Sequence, residues 1–355
     1  MTSPAPYDLA PLGVLLAVGA LLALAPLAWV WLRTPEPTAA SRLQALTWVA
    51  LFLTFDLVLF GAFTRLTDSG LGCPDWPGCY GHASPLGATG HIDAAQQATP
   101  TGPVTHSKAW IEMTHRYLAT GVGALIVVLA IWNVIAARRG TAGAAPRTAV
   151  LTFAWVCLQG AFGALTVTMK LYPAIVTAHL LGGIGLLVLL ACQTRTDETR
   201  AIVLPPAQRG VLWLLAGVAL IQIALGGWVS TNYAVLACSD FPTCQGAWWP
   251  PMDFAQGFRL RRELGAGSGG EYLPFAALTA IHMAHRLGAA LLLCILAWVA
   301  WNLAASEQGE ARRWAWPLAG VGAWQVMTGL ATSCSAGRSR PPSAIPAAPR
   351  RWRSS

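Results

Sequence analysis

Residues 43–79 read LQALTWVALFLTFDLVLFGAFTRLTDSGLGCPDWPGC. The portion 43–63 is apolar almost throughout and has the roughly 20-residue length needed to cross a hydrocarbon core of about 30 Å. It ends in a polar loop where Cys73 and Cys79 bracket five residues that include Asp75 and Pro77. A second loop repeats the pattern as Leu236-Ala237-Cys238-Ser239-Asp240-Phe241-Pro242-Thr243-Cys244. A membrane helix followed by a C-x-D-x-P-x-C loop, met twice, organises the rest of the chain.

Outward from that stretch, apolar runs recur near 11–32, 113–136, 148–169, 174–193, 210–229, 279–303 and 313–332. With 43–63 they predict an all-α polytopic membrane protein of about eight helices, since backbone groups in lipid must be bonded within each segment. The composition agrees: 55% of the 355 residues are hydrophobic and 11% charged, with a mean hydropathy of +0.52, too little polar surface for a water-soluble globule. The run 11–32 is long, with no basic leading region and no clear small-residue cleavage site, so it reads as a helix rather than a secretory signal.

The formal charge of +8 does not point to nucleic acid, because the basic residues fall in short connections and in the tail. Arg33 and Arg42, then Arg138, Arg139 and Arg147, then Arg195, Arg200 and Arg209, then Arg312 and Arg313 occupy alternate connections. The positive-inside rule makes those connections cytoplasmic. The long loops 64–110 and about 230–278, which carry the paired cysteines, then lie outside.

Cys73 and Cys238 are 165 residues apart, His115 and His285 are 170 apart, and Gln159 and Gln325 are 166 apart. The recurrence predicts two four-helix halves in the same orientation, related by an axis along the membrane normal. The expected organisation is an extra helix and cytoplasmic loop over 1–42, a first half over 43–195, a second half over 196–332 and an aberrant tail over 333–355. An outer loop in an oxidising compartment favours a disulfide in each cysteine pair. Either a staple that shapes the loop or a redox-active pair fits that spacing; zinc does not. Cys157, Cys192 and Cys294 lie in helices as apolar filler.

His82, His91 and His106 sit in the first outer loop and need no special account. His115, His179, His282 and His285 lie within or at the outer ends of apolar helices, where an ionisable group is costly and points to function. His115 and His179 supply imidazoles from alternate helices at similar depth, a pair suited to axial ligation of a haem iron within apolar walls. Glu112 precedes His115 by one helical turn on the same face. It is placed to move protons, to orient the histidine, or simply to sit at a helix start. Arg116 and Arg286 suit haem propionates or snorkelling at the membrane surface. Asp56 receives no role.

The stretch Thr64-Arg65-Leu66-Thr67-Asp68-Ser69-Gly70-Leu71-Gly72-Cys73-Pro74-Asp75-Trp76-Pro77-Gly78-Cys79-Tyr80-Gly81, followed by Glu112-Met113-Thr114-His115-Arg116, closely resembles the haem A synthase family. The resemblance runs from about 43 to 332. It implies an enzyme that oxidises the C8 methyl of haem O to a formyl group, giving haem A for cytochrome oxidase. It further implies that the amino-terminal half holds haem O as substrate and the carboxy-terminal half holds haem b as cofactor. Position by position, His115 and His179 match the substrate-half histidines, Glu112 matches the glutamate beside them, Cys73 and Cys79 match the loop cysteines, and His285 matches a haem b ligand. In the second loop Ser230-Thr231-Asn232-Tyr233 departs from the pattern, while Cys238 and Cys244 remain a candidate disulfide.

The tail does not fit. The repeat asks for a histidine near position 345, but that residue is Ile345 and no histidine follows His285 in these 355 residues. Residues 333–355 are rich in Ser, Arg, Pro and Ala, which no bilayer span is; they read as a disordered basic tail or as translation in a shifted frame. With GC-rich codons, the Ala344-Ile345 junction contains a histidine codon two bases along, and the shifted frame can yield an apolar helix. Sequencing the gene across this stretch would sink that hypothesis if no shifted apolar frame is found. On either reading the second half has three helices and the haem b site lacks a ligand. The activity of this chain is therefore in question.

Two other classes share some of these features. A bis-histidine cytochrome that only passes electrons would keep the histidines without needing Glu112. A thiol oxidoreductase would place its chemistry at the outer cysteines and bind quinone. A transporter is disfavoured by the absence of broken helices. The expected partners are haem O, molecular oxygen, an electron donor that the residues do not name, haem O synthase as supplier of the substrate, and lipid, with a homo-oligomer left open. The expected location is a bacterial inner membrane, with the cysteine loops on the periplasmic side.

Overall fold

The computed structural model describes residues 10–36, 38–194, 204–267 and 271–336, with side chains as far as 331. Expectations for Arg195, Arg200 and the tail beyond 336 fall outside the described residues. The chain divides between residues 200 and 201 into two compact units.

The first unit holds α1 (Ala10–Arg33), α2 (Ala39–Leu66), a short α3 (Thr89–Ala98), α4 (His106–Arg138), α5 (Pro146–Thr168) and α6 (Pro173–Gln193). Local sequence sets their starts. The Thr38 hydroxyl accepts from the Ser41 N–H at 3.1 Å and Thr105 from the Lys108 N–H at 3.3 Å, satisfying N–H groups that a first turn leaves unpaired. Pro146 and Pro173 open α5 and α6, where a missing N–H costs nothing. Asn133 donates to the Leu129 carbonyl and accepts from the Ala145 N–H, both at 2.9 Å, tying the end of α4 to the start of α5.

Helices α2, α4, α5 and α6 pack in a ring, each against the next and α6 back on α2, so α4 and α6 are a diagonal pair. Their shared core includes Leu46, Leu125, Ile126, Leu129 and Leu190. Helix α1 lies outside the ring against α4. It belongs to the same core through Ala23 and Val30, so it is built into the first unit rather than appended to it. The approach is close: a Cβ on Gly19 would meet Thr120 at 2.7 Å, and one on Gly121 would meet Leu22 at 3.3 Å. Between helices in lipid, van der Waals contact of this kind replaces the hydrophobic drive.

The second unit holds α7 (Pro206–Thr231), a 3-10 turn (Ala234–Ala237), one turn of helix α8 (Phe254–Gly257), α9 (Phe275–Ala304) and α10 (Gly309–Ala336). Helix α9 is central and packs on both α7 and α10. No fourth long helix accompanies them among the described residues.

Among the described residues, seven helices are long and apolar enough to cross a membrane: α1, α2, α4, α5, α6, α7 and α9. This corrects the expected eight. The run 313–332 does lie inside a helix, α10, but Trp314, Trp316, Trp324, Gln325 and its glycines dilute its apolarity. Large apolar side chains such as Leu21, Phe52, Trp213, Ile221 and Trp298 are exposed on the long helices, as lipid contact requires. The described residues contain no strand ladder, only three isolated bridges. The protein is an all-helical, multi-pass membrane protein.

Candidate functional site

In the first unit, the loop after α2 is closed by a disulfide between Cys73 and Cys79, with their Cα atoms 4.8 Å apart. Asp75 shapes its interior, accepting from the N–H groups of Tyr80 at 2.6 Å and Gly81 at 2.7 Å. Cys79 and His82 exchange two backbone hydrogen bonds. Gly72 is required by close approach, because a Cβ there would collide with the backbone of Lys108 and Ala109 on α4. Tyr80 stacks on His91 with centroids 5.2 Å apart, and partial burial, then the Asp75 charge, raises its phenol above the usual range. His106 pairs with Asp93 at 2.6 Å. The loop histidines set aside in the sequence thus have roles within the loop.

The loop is held to α4 by two buried charges. Arg116 donates through Nη1 to the carbonyls of Asp75, Pro77 and Gly78 at 3.0, 3.2 and 2.5 Å. Its Nη2 meets Glu112 Oε1 at 2.5 Å, and Glu112 Oε2 accepts from the Cys73 N–H at 2.8 Å. The structure therefore turns Glu112 toward Arg116 and the loop, not toward His115. It also places the Arg116 guanidinium on backbone carbonyls. Glu112 is the one carboxylate buried in this unit among the described residues.

One helical step away, His115 enters the ring of helices from α4, and His179 enters from α6 on the diagonal. The two rings are close enough to interact electrostatically. Each lies against a glycine: a Cβ on Gly61 would come within 3.1 Å of His115 Cε1, and one on Gly163 within 3.5 Å of His179 Cε1. Phe60 lies parallel to His115, with centroids 6.1 Å apart. Nδ1 of both rings is buried without a hydrogen-bond partner. Two such imidazoles, unclaimed by protein donors or acceptors and backed by glycine, fit the chemistry of a metal-ligand pair such as the axial ligands of haem.

The second unit repeats much of this arrangement. Cys238 and Cys244 form a disulfide with Cα atoms 4.7 Å apart. Asp240 accepts from the N–H groups of Gln245 at 2.6 Å and Gly246 at 3.0 Å, and from the Thr243 hydroxyl. The Thr243 bond, with those N–H groups, lowers its carboxyl below the usual range against the opposing effect of burial. Arg286 donates to the carbonyls of Thr243 and Asp240, each at 2.9 Å, as Arg116 does to the first loop. His282 occupies the helical place of Glu112 and is buried, so Arg286 has no carboxylate of that kind beside it. His285 lies against Gly226, where a Cβ would come within 3.3 Å of Cε1, and Gln222 reaches its Nδ1 at 2.9 Å.

Sequence reasoning missed Gly61, Gly163, Gly226 and Gln222. Two of the glycines follow from a spacing that was available, since Gly61 and Gly226 differ by the same 165 residues as the cysteines. All four disulfide cysteines are buried, Cys73, Cys79 and Cys244 at 0% exposure and Cys238 at 3%. Thiol exchange needs access to sulfur, so this burial favours loop staples over redox centres.

A sequence-family model of cytochrome oxidase assembly proteins, COX15-CtaA, matches residues 44–337. The chain is 40% identical over 277 residues to a "Heme A synthase" of Shewanella oneidensis, covering 75% of this chain and 81% of that protein. A protein of the same name from Symbiobacterium thermophilum is 30% identical over 289 residues, 77% of this chain and 79% of its own. One from Halalkalibacterium halodurans is 28% identical over 205 residues, 55% of this chain and 62% of its own. By the span of the family match and the identity to the Shewanella protein, the chain belongs to the COX15-CtaA family of cytochrome oxidase assembly proteins.

Proposed function

We propose that this chain is a haem A synthase, an oxidoreductase that takes the C8 methyl of haem O to a formyl group, with molecular oxygen as oxidant. The observation that carries the site assignment is the pair of unclaimed imidazoles, His115 and His179, inside the four-helix ring. These two residues would hold the substrate haem, and His285 would hold haem b in the second unit. Bound haem supplies the iron chemistry; the protein supplies position, dryness and protons. The disulfide loop, locked down through Arg116, covers the outer end of the α4 histidine helix and limits water there.

Glu112 is the proposed acid–base group. Both of its oxygens are engaged, so exchanging a proton means releasing either Arg116 or the Cys73 N–H. Arg286 and Arg116 are already satisfied by loop carbonyls, and this engagement favours a positioning role for both over propionate binding. The basic connections, including Arg138, Arg139, Arg147, Arg312 and Arg313, support a bacterial inner-membrane location with both disulfide loops on the periplasmic side. The parallel-repeat reading draws support from the matching loop bonds and glycine–histidine contacts of the two units.

The test uses a host that makes haem O but no haem A, carrying either this chain or a version whose C-terminal frame is shifted to restore a histidine near position 345. Haem is extracted and chromatographed. Haem A from either version supports the synthase reading, and haem A from the restored version alone would tie turnover to the second ligand. Haem A from neither, in well-folded protein, would overturn the synthase reading in favour of electron transfer.

A further inference from the structure

Asp56 is a charge with no place in the site described above. On α2 it lies 14 residues from Arg42 and 9 from Arg65, about 21 and 14 Å along the axis at 1.5 Å per residue, which sets it near the middle of the hydrocarbon. A carboxylate at that depth ordinarily faces the bundle interior or a counter-charge. Asp56 is instead exposed, and it takes part in none of the ion pairs or hydrogen bonds among the described residues. Its surroundings are apolar. Trp48, Phe52, Leu59 and Phe63 follow at three- and four-residue steps on the same face of α2, and all four are exposed. Helix α2 packs on α1, α4 and α6, and among the described residues those helices leave this face bare. Beside it, between α2 and α6, runs a groove of about 400 Å³, lined by Trp48, Leu51, Phe52 and Phe55 with Leu187 and Val188 facing them from α6.

We propose that this face docks a transmembrane helix of another protein, one that carries a lysine or arginine near mid-span. Its apolar ridge lies along the groove, and its cation pairs with Asp56. Helices in lipid associate through close packing and polar contacts rather than through a hydrophobic drive, and this face offers one of each. A lipid chain can fill the groove but brings no donor to the depth of Asp56. A second copy of this chain brings no cation there either. Its described Lys and Arg residues stand at helix ends, in the connections or at the disulfide loops, and the two that reach furthest along their helices, Arg116 and Arg286, are spent on loop carbonyls. A foreign helix with its own cation meets both requirements.

The test uses the full chain in phosphatidylcholine vesicles, with a photo-reactive benzoylphenylalanine replacing Phe52 in the groove. Two synthetic leucine–alanine helices of about 20 residues serve as probes, one with a central arginine and one with leucine in its place. At limiting peptide, the arginine helix is expected to cross-link about 10-fold more than the leucine helix, which is the scale of one interhelical polar contact in lipid. Asp56→Leu, at an exposed and unbonded position, is expected to keep the thermal midpoint of the parent and to bring the arginine helix down to the level of the leucine helix. Equal yields for the two probes with the parent would overturn the inference and leave the face to lipid. An arginine-helix yield that survives Asp56→Leu would overturn it too. Chain-to-chain cross-links at position 52 that exclude both probes would make the occupant a second copy, and would equally overturn it.

Discussion

Glu112 shows how a single side chain divides what periodicity leaves joined. On a helix, positions three and four residues on share its face, so the sequence alone does not choose between His115 and Arg116 as its partner. Three-dimensional structure makes the choice through the loop: Arg116 is drawn to carbonyls at Asp75, Pro77 and Gly78, and Glu112 follows to balance a buried charge. Removing one member of a buried pair strands the other, at a cost of about 3–5 kcal/mol. Glu112→Gln and Glu112→Ala are therefore both expected to lower the thermal midpoint in detergent, Glu112→Ala the more because the amide can still accept from the Cys73 N–H. An unchanged midpoint in Glu112→Gln, which removes the charge alone, would argue against this pairing. The second loop offers a pH test. The folded-state value of Asp240 lies below its ordinary value of 3.8, so its stabilising contribution is complete above that pH and is lost as pH falls through the lower folded value. Asp240→Asn should melt earlier than the parent at neutral pH, with the two curves converging in strong acid.

At the scale of elements, the long apolar runs were legible because lipid imposes length and apolarity together. The run 43–63 became α2, Ala39–Leu66, and 210–229 became α7, Pro206–Thr231. Helix α4 was read short. Its first two turns, His106 to Glu112, are polar enough to look like loop, yet they continue the helix into the outer layer where Lys108 pairs with Asp68 at 3.3 Å. Helix α3 was not legible, since Thr89–Ala98 is polar and buries only Ile92. Glycine contacts with the histidine rings were also missed, because a glycine in an apolar run carries no sign of what presses on it. Helix α1 gives the test at this scale. Gly19→Leu forces a side chain into Thr120 and should part α1 from α4, separating Trp31 from Trp132, now 6.4 Å between centroids. A lower thermal midpoint and faster proteolysis of the 34–38 connection are expected; unchanged values would mean that α1 is held by its ends.

Across the whole molecule, the first unit closes a ring of four helices, whereas among described residues the second has three long ones in a row. The histidine spacing of the first unit likewise has no counterpart past His285 in these 355 residues. Haem content tests the proposed second site: a version recoded to carry an apolar helix with a histidine near position 345 is expected to add about one low-spin haem per chain, seen as a rise in the pyridine haemochrome-to-protein ratio, and no rise would place the second ligand elsewhere. The two loops carry a further consequence. Arg116 and Arg286 grip main-chain oxygens, so what they recognise is chiefly the path of the loop, with Arg286 also lying over the Phe241 ring at 5.6 Å. The loops already show it, since CPDWPGC and CSDFPTC differ at three of seven places while making the same kind of bonds. The outward face of each loop is thereby released from the duties of the interior. It can drift over generations toward whatever neighbour the membrane presents, while the histidine beneath stays where it was.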